Sequence, residues 1–206
     1  MQLRDALAQV SEIRLQLDRA ATFRGFRARP TAFSALAACC AALLQPWLVA
    51  EPAKDPQGYV ALWVVAATAC LAVALFDLAL GFKRAPSFLT GRLAARALEQ
   101  LAPTLVAGAL LTLVIMRHAS DAAWMLPGLW SVLFSLGLFA AGRLLPRAIM
   151  AVGAWYLACG IFCLAWFQNE RAFSAWSMGL TFGLGQLLTA GILYFTLERG
   201  HERVAP

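Results

Sequence analysis

The sequence predicts an all-α membrane protein, a six-helix transmembrane bundle preceded by an N-terminal cytoplasmic or interfacial amphipathic helix. Three observations predict it. Of 206 residues, 61% are hydrophobic and 14% charged, with a mean hydropathy of +0.69; a soluble domain carries about 25% charged and about 45–50% apolar residues. Six apolar runs each approach the roughly 20 residues that a helix needs to cross a hydrocarbon core about 30 Å thick. The breaks between them alternate between Arg-rich and Arg-poor. Lipid leaves no solvent for unpaired backbone, so each run must be a helix or a barrel strand. The runs are too long for membrane strands and lack their alternation.

Residues 1–29 come first. Leu3, Leu7, Val10, Ile13 and Leu17 recur at helical spacing against Arg4, Asp5, Gln9, Glu12, Gln16 and Arg19, which predicts an amphipathic helix of about five turns. Phe23 and Phe26 follow among Arg24, Arg27 and Arg29, ahead of Pro30. One reading lays this helix on the inner leaflet, aromatics inserted and guanidinium groups snorkelling. The other makes it a docking or dimerisation helix for a cytoplasmic partner. The charged start does not match a cleavable signal peptide, so the first span is expected to act as its own insertion signal.

The transmembrane domain is expected over 30–198, with spans at about Thr31–Ala50, Gly58–Phe82, Gln100–Met116, Ala122–Gly142, Ala148–Phe167 and Ser174–Leu197, and a short tail at 199–206. The third span is the shortest and contains Pro103. Fifteen of the seventeen cations are Arg, and fourteen fall in the N-terminal segment, the second and fourth breaks and the tail; only Lys54, Arg117 and Arg171 fall in the other breaks. Lys and Arg are retained on the cytoplasmic side, so both termini are expected there. An odd number of spans would destroy this separation, which makes the charge count an independent argument for six. Trp47, Trp63, Trp124, Trp166 and Trp176 fall near the opposite ends, where indole favours the headgroup zone, and Trp155 with Tyr156 sits inside the fifth span.

The net charge of +6 does not point to nucleic acid, because no soluble basic domain exists to carry it. The sequence holds no phosphate-cradling glycine loop, His-Glu-x-x-His pair or Gly-x-Ser-x-Gly turn. No nucleophile or metal is paired with a base inside a span, so neither a catalytic residue, a metal site nor a cofactor is expected. The cysteines Cys39, Cys40, Cys70, Cys159 and Cys163 all fall in spans and read as small hydrophobes; Cys159 and Cys163 share a helix face, but hydrocarbon disfavours the thiolate that a metal needs.

Two polar sets stand out. Asp77 lies near the cytoplasmic end of the second span. With Arg92, Arg96, Glu99 and Arg143 it forms a candidate polar network, either an ion-pair cluster pinning helix ends or a proton or cation site at a pathway mouth. In the sixth span Gly179 and Gly183 form a G-x-x-x-G pair beside Gln186, suited to internal helix packing, a dimer face or a pathway-lining helix. Ser131 and Ser135 carry the same ambiguity, and Thr104 and Thr112 are placed to bond within their own helix.

Several segments carry a resemblance. They are Ser11-Glu12-Ile13-Arg14, Trp124-Met125-Leu126-Pro127-Gly128-Leu129-Trp130, Leu133-Phe134-Ser135-Leu136-Gly137, Arg143-Leu144-Leu145-Pro146-Arg147 and Trp155-Tyr156-Leu157-Ala158-Cys159-Gly160. The set resembles a group of uncharacterised bacterial six-span integral membrane proteins, over about Ser11 to Leu197. The resemblance implies a bacterial inner membrane and carries no activity. Two function classes remain: a membrane-embedded binding or regulatory subunit, or a small oligomeric transporter or channel using polar residues near the cytoplasmic face. The expected partners are the bilayer and either a second copy or a membrane or cytoplasmic protein.

Overall fold

The computed structural model describes residues 28–84 and 88–198, with the backbone alone for 81–84, 88–98, 143, 197 and 198. Residues 1–27, the amphipathic segment, lie outside the described residues. Six helical segments long and apolar enough to span a membrane follow in order: α1 (Ala28–Leu48), α2 (Pro56–Arg84), α3 (Phe88–His118), α4 (Leu126–Ala140, which reaches spanning length together with the turn Ser120–Met125 before it), α5 (Ile149–Trp166) and α6 (Ala175–Leu193). No strand occurs among the described residues. Both chain ends of the bundle lie on one face, here the terminal face; the α1–α2, α3–α4 and α5–α6 connections lie on the opposite, loop face.

Local chemistry explains where the helices depart from the apolar runs. α3 begins well before the third run and continues through Pro103, so the preceding break is largely helix. The fourth run is interrupted early. Residues Ser120–Met125 form a 3-10 turn and the α-helix starts at Leu126. Pro127 sits in its first turn, where a missing N–H costs nothing and the fixed φ favours helix entry. Between α5 and α6, Asn169 takes φ 54°, a left-handed conformation that Asn tolerates better than most residues.

The helices form a ring in the order α1, α2, α3, α4, α5, α6, closing from α6 back to α1. The tightest pairs are α1 with α6 and α4 with α5; α2 and α3 touch least among sequence neighbours. Small residues explain the tight pairs, since they let backbones approach. A Cβ on Gly160 would stand 2.9 Å from the Gly128 carbonyl, and one on Gly128 would stand 2.9 Å from the Gly160 carbonyl, so α4 and α5 cross backbone to backbone. A Cβ on Gly179 would stand 2.6 Å from Ala42 Cβ, and one on Gly183 3.0 Å from Cys39 Sγ.

Two apolar cores result. The loop-face core gathers Tyr59, Val60 and Trp63 of α2, Ile115 of α3, Leu126, Phe173 and Met178. The terminal-face core gathers Ala28, Leu138, Ile149, Val152, Tyr156 and Leu193. The terminal-side stretch of α2, Val64 to Leu80, contributes no buried residue, and neither does Glu99 to Val114 of α3. Toward the terminal face α2 is the least covered helix, whereas α3 stays against α4, with Leu101 and Thr104 beside Gly137 and Leu101 packed on the terminal-face core.

Candidate functional site

Polar side chains within the spans form two buried groups and one stripe. The first group lies near the loop face and centres on Gln45 of α1, which is 3% exposed. Gln45 Nε2 donates to the Phe173 carbonyl at 2.7 Å, and Trp63 Nε1 donates to Gln45 Oε1 at 3.1 Å. Tyr59 meets Phe173 edge-on at 5.0 Å, and its buried hydroxyl faces Ser177. The Ser177 hydroxyl itself donates to the Ala172 and Ser174 carbonyls. One amide thus clasps α1, α2 and the turn entering α6. Sequence alone does not single out Gln45, which lies between Leu44 and Pro46 at a helix end. Trp63 requires correction. It is 4% exposed and bonded inward to Gln45 instead of facing lipid, whereas Trp47, Trp166 and Trp176 are exposed at 87%, 65% and 65%.

The second group lies toward the terminal face. The Tyr156 ring packs edge-on against Phe134 at 4.9 Å and tilted against Phe182 at 5.2 Å, and Phe134 lies 5.8 Å from Phe182. This aromatic plug joins α4, α5 and α6. A Cβ on Gly185 would overlap the Tyr156 ring and hydroxyl, so Gly185 is the socket for that ring. Half-buried Gln186 faces the Tyr156 hydroxyl. Neither tyrosine hydroxyl, of Tyr59 or of Tyr156, completes a hydrogen bond of good geometry. Nearby, Trp155 Nε1 donates to the Thr181 carbonyl at 3.2 Å, which accounts for an indole in the middle of a span.

The stripe runs along α2. Half-buried residues at Ala66, Cys70, Val73, Asp77 and Leu80 continue the line set by Tyr59 and Trp63, with the alternating three- and four-residue spacing of one helix face. Asp77 therefore sits on the inward stripe of α2, not on its lipid face. Of its candidate partners, Glu99 is exposed on α3. The side chains of Arg92 and Arg96 on α3, and of Arg143 in the turn after α4, lie outside the described residues, and with them the candidate network.

Gly179 and Gly183 press against α1, while Gln186 points to α5. The hydroxyls follow simple rules. Ser135 Oγ crosses to the Gly153 carbonyl at 2.8 Å and ties α4 to α5. Ser131, Thr104 and Thr112 donate to their own helices, and Thr112 also accepts from Trp130 Nε1 at 2.9 Å, which ties α3 to α4. Among the described residues no three metal-ligating side chains converge. These groups clasp helices to one another; none of them pairs a nucleophile with a base. No family model, curated protein or solved structure matches the chain.

Proposed function

We propose that this chain is a membrane-embedded binding or regulatory subunit of a bacterial inner membrane, with both termini in the cytoplasm. The observation that carries this reading is the placement of Gln186 and Asp77. Gln186 faces Tyr156 beneath the aromatic plug, and Asp77 lies on α2, across α1 from α6 in the ring. A transport route linking the two would have to pass α1, which packs closely on α6 through Gly179 and Gly183. The terminal-side stretch of α2 supports the same reading, since Val64 to Leu80 offers an intramembrane surface with no buried residue. Half-buried Asp77 favours a second reading, a small oligomeric transporter or channel, because an acid within a span marks function by default.

Affinity capture in mild detergent separates the two. A subunit brings down a stoichiometric partner, and deleting residues 1–29 releases it. A transporter purifies alone or as copies of itself and, in proteoliposomes, carries a flux that Asp77→Asn abolishes. That second outcome overturns the subunit reading.

A further inference from the structure

We draw no further inference here: the strongest candidate, the apolar groove between α1 and α6 that Cys39, Ala42, Gly179 and Gly183 line, carries none because nothing in the structure shows what covers it.

Discussion

At the residue scale, Gln45 and Gln186 make opposite demands on the fold. Gln45 spends both ends of its amide on buried partners, whereas Gln186 is half-buried and faces a hydroxyl without completing a bond. Gln45→Leu strands the Trp63 N–H and the Phe173 carbonyl in hydrocarbon. It should cost about 1–2 kcal/mol, in the upper range for hydrogen bonds within membranes. Gln186→Leu should cost less than half as much. Reversible unfolding in mixed detergent micelles, followed by tryptophan fluorescence, measures both; equal losses would remove Gln45 from its role as a clasp. Gly185 allows a coupled test. Gly185→Ala places a methyl in the Tyr156 ring and should cost about 1–3 kcal/mol. In the Gly185→Ala, Tyr156→Leu double variant much of that loss should disappear relative to Tyr156→Leu alone, a coupling that only direct contact produces. The clasp was not readable in the sequence. Gln45 and the carbonyl it binds lie 128 positions apart, and a glutamine near the end of an apolar run looks like an interfacial residue. Trp63 misled for a related reason: position along a span says how deep an indole sits, but not whether it faces lipid or core.

At the element scale, the six spans were legible because hydropathy is a local property, and the helices follow the apolar runs closely. Their edges were less so. Pro127 moves the start of α4 to Leu126, and the backbone of α3 runs through the basic break without regard to its polarity. Helix partners were harder still. Gly179 and Gly183 announce a close contact because both lie on one helix. Gly128 and Gly160 do so only once α4 and α5 are placed together. The glycines therefore differ in what they tolerate. Gly160→Ala pushes a methyl against the Gly128 carbonyl and the Val132 amide, both backbone atoms that cannot swing aside, and should destabilise by about 1–3 kcal/mol. A methyl at Gly191 would meet nothing within 4 Å, so Gly191→Ala should be neutral or should stabilise by up to about 1 kcal/mol through helix propensity. Thermal unfolding of the two variants in the same detergent gives the comparison. Matching midpoints would mean that α4 and α5 do not meet at this crossing.

At the scale of the whole molecule, the ring order and the exposure of α2 toward the terminal face come from side-chain pairings that no single segment encodes. Orientation, in contrast, is a summed quantity. It depends on total charge at the two faces and is insensitive to any one contact. Fourteen cations fall in the N-terminal segment, the second and fourth breaks and the tail and three in the other breaks, and six of the fourteen lie in residues 1–29. Neutralising those six by Arg→Gln leaves eight against three, so the bias survives with its sign unchanged. Reporter fusions at either terminus should therefore signal the cytoplasm in the natural chain and in the sixfold variant alike. The insertion signal then resides in the whole charge pattern, not in the leading segment. A flipped C-terminal reporter in the variant would assign orientation to that segment alone, and termini on opposite sides of the membrane in the natural chain would mean that one of the six helices does not cross.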